Sequence, residues 1–256
     1  MSVSKWIGAS LGWSFGGPIG AIIGLALGSI IDGLTGNKSN PLLGERQTGS
    51  KRTYRTRPQQ RPQTQSGDFE VSLLVLASIV IKADSHQDQR ELDFVRQQFT
   101  TMYGKERSNH AFKLFKNISK QQISTRQVCT QIQQMMDHPS RLQLLHFLFG
   151  IAKADDLVTE NEIRQIYTIS GYLGISAKDF ESIKAMFYNS RENAYKILEI
   201  NKSATVADIK AAYRKMAKKY HPDKVIHLGK EHQKGAEEKF RQVQEAYEQL
   251  QKERGF

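Results

Sequence analysis

Apolar and polar positions divide the chain into three regimes. Residues 7–31, IGASLGWSFGGPIGAIIGLALGSII, form one run without a charge. Residues 32–67 hold almost no large apolar side chain beyond Leu34, Leu42, Leu43 and Tyr54. From Phe69 onward apolar residues return at i, i+3 and i+4, the period of an amphipathic helix. Val71, Leu74, Val75, Ser78 and Ile79 share one helical face, and the same spacing recurs through 94–99, 111–115, 128–136, 142–149, 163–167 and 180–187. Gly104, Pro139 and Gly174 punctuate it. No strand-like alternation of useful length interrupts the pattern. The prediction is an all-α chain, with a helical bundle of about seven helices over 68–190 and a further helical unit over 191–256.

The first run is long enough to matter. At 1.5 Å rise per residue it would make a helix of roughly 37 Å, against a hydrocarbon core of ~30 Å. Gly8, Gly12, Gly16, Gly20, Gly24 and Gly28 fall four apart and line one helix face. Glycine is a poor helix former in water, but in lipid such a stripe lets a second backbone approach closely. Residues 7–31 therefore read as a single transmembrane helix that dimerises, after a short extracytoplasmic N-terminus at 1–6. Trp6 and Trp13 would sit near an interface, and Pro18 would kink the span. A cleaved signal peptide fits less well, because the run is long and no Ala-x-Ala site follows. A glycine-rich soluble hairpin is the residual alternative.

Charge orients the span. Only Lys5 precedes it, whereas Lys38, Arg46, Lys51, Arg52, Arg55, Arg57 and Arg61 follow, against two acids, Asp32 and Glu45. That asymmetry places the C-terminal part in the cytoplasm and the N-terminus outside, which for a bacterial chain means the inner membrane. The segment 32–67, with Pro41, Pro58 and Pro62, reads as a disordered basic linker. Its cations could equally rest on anionic headgroups or merely fix topology.

Within the bundle, IKADSHQDQREL at 81–92 and AKADDLVTENEI at 152–163 align without gaps. Each runs from an apolar helix through Lys-Ala-Asp and a polar turn into another helix, an internal repeat of two hairpins about a pseudo-twofold axis. The acids of these turns, Asp84, Asp88 and Glu91 in one and Asp155, Asp156, Glu160 and Glu162 in the other, admit a hard cation. The spacing Thr159-x-x-Glu162 is also a capping box, and Asp88-x-x-Glu91 imitates one, which explains the pattern without a metal. No metal is assigned; Asp84, Asp88, Glu91, Asp155 and Glu162 are the low-ranked candidates. The domain resembles the TerB-like helical family over roughly 69–189. The glycine common after the turn aspartate in that family is here Ser85 and Asp156.

Totals narrow the function. The 256 residues carry a formal net charge of +11, which calls for an acidic partner surface. Cys129 is the one cysteine, so an internal disulfide and a cysteine-based zinc cluster are excluded. No nucleophile–base pair, phosphate loop or metal-hydrolase motif is present, so the chain reads as no enzyme and needs no cofactor. A nucleic-acid ligand lacks aromatic support.

The most specific signal is AYKILEINKSATVADIKAAYRKMAKKYHPDK, at 194–224. Thr205 is placed to cap a helix over 206–220, with Asp208 in its first turn. Ile209, Ala212, Met216, Tyr220 and part of Tyr213 would face inward; Lys210, Arg214, Lys215, Lys218 and Lys219 lie on the other side. Pro222 stops the helix and extends His221. The segment 225–238 reads as a long loop before a last helix with Phe240, Val243, Ala246, Tyr247 and Leu250 inward. This module resembles the J-domain of Hsp70 co-chaperones closely. The resemblance implies that His221, Pro222 and Asp223 trigger ATP hydrolysis by the Hsp70, and that Lys210, Tyr213, Arg214, Lys215, Lys218 and Lys224 contact it. A zinc site at His221, His227 and His232 finds no supporting cysteine.

The order of parts resembles the DjlA-type family of bacterial membrane-anchored co-chaperones. It implies a DnaK-type Hsp70 as partner, a homodimer through the span, and a middle domain that recruits or positions an unidentified client. A membrane-stress sensor or scaffold, whose middle domain binds a cation or a protein and uses the J-type module as output, stays open beside it.

Overall fold

The computed structural model describes Gly20 and residues 66–82, 89–154, 158–188 and 193–256. The expected span at 7–31, apart from Gly20, and the linker to residue 65 lie outside the described residues. Among the described residues every regular element is helical, and no helix is long and apolar enough to cross a membrane.

Helix α1 (Ser66–Val80) forms the centre of the middle domain, packed against α2 (Gln89–Ile118), α3 (Thr125–Met135), α4 (His138–Ala152) and α5 (Glu160–Tyr172). Its sequence suggests one buried stripe. In fact Phe69, Val71, Leu73, Leu74, Val75, Leu76, Ala77 and Val80 are all buried, and only Ile79 is partly so. A helix apolar on every side is stable only when neighbours surround it. Helix α4 is the second such element, burying Leu142, Leu144, Leu145, Leu148, Phe149, Ile151 and Ala152. Removing each such side chain from water contributes about 1.5–3 kcal/mol. Cys129 is buried here too, and burial pushes its thiol up to about 12, leaving it inert.

Helix α2 is two helices in one. Gly104 breaks it at φ 79°, a backbone that side chains rarely tolerate. The halves fold back on each other, so that Arg96 Nη2 donates to Asn109 Oδ1 at 3.2 Å and Thr100 Oγ1 to Ser108 Oγ at 2.9 Å. The second half is fastened to α1 by Arg107, whose Nη2 meets the buried Glu70 carboxylate at 2.7 Å. Helix α6 (Ala177–Ala185) completes the domain, capped by Ser176, whose hydroxyl accepts from Asp179 N at 3.1 Å.

Of the two echoing turns, residues 83–88 and 155–157 lie outside the described residues, and with them Asp84, Asp88 and Asp155. The capping box of the second turn is formed: Thr159 N and Oγ1 donate to Glu162 Oε2 at 2.8 and 2.9 Å, and Glu162 N donates to Thr159 Oγ1 at 3.2 Å. Glu162 is buried in that role, and Glu91 is buried in the first turn of α2.

The C-terminal unit begins with α7 (Asn193–Ile197), continues through α8 (Val206–Lys219) and a 3-10 helix (Pro222–Leu228), and ends with α9 (Lys230–Arg254). Helices α8 and α9 form the hairpin, with Ile209, Met216, Val243, Ala246 and Leu250 between them. Phe240 and Tyr247 are half-buried at its rim rather than fully inward. Tyr195 of α7 anchors the far end: its hydroxyl donates to Glu253 at 2.7 Å and accepts from Arg254 Nε at 3.1 Å.

One expectation is corrected. The segment 225–238 is helical through most of its length, a 3-10 turn and the first turns of α9, rather than a loop. The physical reason is tertiary. His232, Ala236 and Lys239 are 1%, 2% and 3% exposed, because this face of α9 packs on the middle domain.

Candidate functional site

Three local signals place the tripeptide at 221–223. Thr205 starts α8 with a capping box: Thr205 N and Oγ1 donate to Asp208 Oδ2 at 3.0 and 2.7 Å, and Asp208 N donates back to Thr205 Oγ1 at 3.2 Å. These bonds hold the Asp208 carboxyl below its ordinary range. Met216 and Ile209 are buried and fix which side of α8 faces solvent. Pro222, lacking an amide proton, cannot continue α8 and instead opens the 3-10 helix.

His221 therefore stands extended at φ −58°, ψ 132°, its Nδ1 accepting from Asp223 N at 3.3 Å. Its ring meets Phe240 edge-on at 5.6 Å. The side chains of His221 and Asp223 stay 49% and 73% exposed. The turn is polar and open to a partner, with the Pro222 ring fixing one backbone angle.

The residues expected around it are spread over one face of α8. Arg214 and Lys218 are exposed. Lys210 Nζ lies 5.2 Å from the centre of the Phe256 ring. Tyr213 stacks on Tyr247 at 4.3 Å and 15°. Lys215 Nζ is 3.2 Å from Glu199 Oε2 while remaining largely in solvent, an arrangement of small energetic weight. Lys224 is exposed beside the tripeptide. The structure thus gathers His221, Pro222, Asp223 and Lys224 at one end of the basic face.

Glu199 and Asp179 escaped the sequence reading, and the loop histidines entered it only as rejected zinc ligands. Glu199 follows α7 with φ 58°, the left-handed position that glycine usually fills at a helix end. Its buried carboxylate pairs with both Lys215 and Lys219. The signal was present: a helix end lacking glycine, two turns before a lysine-rich helix. Lys219 also pairs with Asp179 of α6, which His138 Nε2 approaches at 3.6 Å. Burial opposes the Asp179 charge, but hydrogen bonds from His138, Lys219 and Ser176 outweigh it and hold the carboxyl well below the usual range. His227 Nε2 lies 3.2 Å from Ser140 Oγ and 3.6 Å from Asp137 Oδ2. His232 Nε2 lies 2.8 Å from the Tyr103 hydroxyl, its ring 4.5 Å from Phe69. Neither histidine points toward His221 as a metal partner would.

Comparison with known proteins matches the same three parts. Residues 1–51 match the co-chaperone DjlA transmembrane domain, residues 70–185 the tellurite resistance protein TerB family, and residues 193–255 the DnaJ domain. Co-chaperone protein DjlA of Coxiella burnetii is 27% identical over 99% of this chain and 98% of its own length. The DjlA protein of Haemophilus influenzae is 27% identical over 99% of each. Chaperone protein DnaJ of Erysipelothrix rhusiopathiae is 57% identical over 60 residues, 23% of this chain and 15% of its own. No solved structure matches. The chain thus matches a DjlA-type transmembrane domain, a TerB domain and a J-domain in that order, and along nearly its whole length it is similar to DjlA co-chaperones.

Proposed function

We propose that this chain recruits a DnaK-type Hsp70 to the inner membrane and stimulates its ATP hydrolysis. The observation that carries the reading is the tripeptide His221, Pro222 and Asp223, with His221 and Asp223 exposed, at the end of a helix whose solvent face is basic. An acidic Hsp70 surface docks along Lys210, Tyr213, Arg214, Lys215, Lys218 and Lys224, and long-range attraction speeds the encounter. The Hsp70 performs the chemistry; this chain changes its rate. A single span, with the N-terminus outside and residues 32–256 in the cytoplasm, keeps the J-domain at the membrane. The glycine stripe from Gly8 to Gly28 pairs two copies, and two J-domains then share one small volume.

The test is single-turnover ATP hydrolysis by the cognate Hsp70, with the full chain in detergent micelles beside its His221→Gln variant. Wild type accelerates hydrolysis, and the variant returns it to the unstimulated rate. Equal stimulation by both would sink the tripeptide's role. Pairing is read separately, in a membrane two-hybrid assay, where Gly16→Leu with Gly20→Leu lowers the dimer signal.

A further inference from the structure

We propose that helix α4 of the middle domain is a releasable clamp on the J-domain, holding the flank of the tripeptide until α9 lets go. This inference rests on the co-chaperone reading above. The geometry begins at a small cavity of about 10 Å³, lined by Pro139 and Leu142 of α4, by His221, Lys224 and Val225, and by Ala236 and Lys239 of α9. It has room for about one water molecule. The first turn of α4 therefore walls one side of the tripeptide. Asp179 occupies Lys219, a cation of the same helix that faces the partner. His227 on Asp137 and Ser140, and His232 on Tyr103, fasten the segment between tripeptide and hairpin.

The seam is built to open. Lys239 is 3% exposed, and its Nζ finds no hydrogen-bond partner among the described residues. Two further groups across the seam share that condition, His146 Nε2 and Gln143 Oε1. A buried cation with no counter-charge among the described residues, near an imidazole whose Nε2 is also unpaired, destabilises whatever buries it. A permanent interface would pair such groups or replace them with apolar ones. Release returns Lys239 and His146 to water, frees Lys219 from Asp179 and clears α4 from beside His221. The docked state restrains the J-domain; the released state serves the Hsp70.

Two substitutions outside the tripeptide and the basic face push the seam in opposite directions. Gly235 is helical, and a Cβ there would lie 2.2 Å from Gln143 Nε2. Gly235→Gln displaces the end of Gln143 and crowds the α4–α9 seam with a longer side chain, while improving the helix propensity of α9. Lys239→Met keeps the volume and removes the buried charge, which tightens the seam. In the full chain, hydrogen exchange over 137–146 and 227–239 reads the seam, and single-turnover ATP hydrolysis by the Hsp70 reads the output. Gly235→Gln should speed exchange and raise stimulation several-fold; Lys239→Met should slow exchange and lower stimulation. If the wild type stimulates but an opened seam leaves the rate unchanged, or both variants shift it the same way, the clamp is wrong and the co-chaperone reading survives. A seam that stays closed in Gly235→Gln also overturns it. If neither wild type nor Gly235→Gln stimulates, the co-chaperone reading fails and the clamp falls with it.

Discussion

Helices α8 and α9 belong to one hairpin but are stabilised differently. Helix α8 begins with its own capping box and turns a basic face to solvent. Helix α9 begins at Gly229, with no side-chain cap, and its first turns bury His232, Ala236 and Lys239. Local chemistry is enough to start α8. The first turns of α9 are polar in sequence and uncapped, so the middle domain must hold them. The functional face thus sits on the self-sufficient helix, and the regulated face on the dependent one.

The largest effect should come from breaking the support of α9 at its source. Phe69 is fully buried in α1 and meets the His232 ring at 4.5 Å. Phe69→Ala should cost about 3–5 kcal/mol in urea unfolding of the middle domain. Under native conditions hydrogen exchange should quicken over 230–239 far more than over 206–219. Equal quickening in both helices would show that α8 leans on the middle domain as much as α9 does.

A milder probe changes charge without mutation. Burial pushes the Lys239 ammonium from 10.5 down to about 7. Released into water, the same lysine keeps its ordinary value. Between these limits the released state binds more protons, so docking strengthens as pH rises from about 7 toward 10.5, by up to ~1.4 kcal/mol per unit. Below 7 both states are protonated and the penalty stands in full. His146, also lowered by burial and by the Lys239 charge, adds the same sign below 6.5. Lys219, Lys224, His221 and Tyr220 line the same cavity, while Asp179 and Asp137 face the seam through Lys219 and His227. Exchange over 227–239, corrected for its intrinsic pH dependence, should slow from pH 7.5 to 9.5, above the ordinary histidine range. In Lys239→Met the corrected rate should stay level.

The same contrast explains what could be read from residues alone. The hairpin was legible because its signals are local: Thr205 with Asp208, the stop at Pro222, the inward set of Ile209, Met216, Val243 and Leu250. The box at Thr159 and Glu162, and the break at Gly104, were legible for the same reason. The helical segment after the tripeptide was not. VIHLGKEHQKGAEE has no cap and a poor apolar stripe, and becomes helical against residues more than eighty positions earlier in the chain. Helix α1 misled in the other direction, since its apolar face is legible but burial on every side depends on what surrounds it. Asp179 reaches α8 from α6 and Glu199 from the turn after α7; the helix end without glycine hints at Glu199, but no spacing announces Asp179.

The smallest change completes the comparison. Thr205→Ala removes both side-chain bonds of the α8 box and leaves Asp208 without its acceptor at the helix start. A lost cap of this kind costs about 1 kcal/mol. Because α8 starts on local chemistry, the loss should show as fraying of 205–209 in hydrogen exchange, about three turns away from the tripeptide. Met216 and Tyr220 are buried and still hold the other end, so His221 should keep its place and stimulation of the Hsp70 should fall little. The α4–α9 seam should not change, because no group in it touches Thr205. If the seam loosens instead, α8 and α9 answer to one cooperative unit, and the division between a self-sufficient and a dependent helix is wrong.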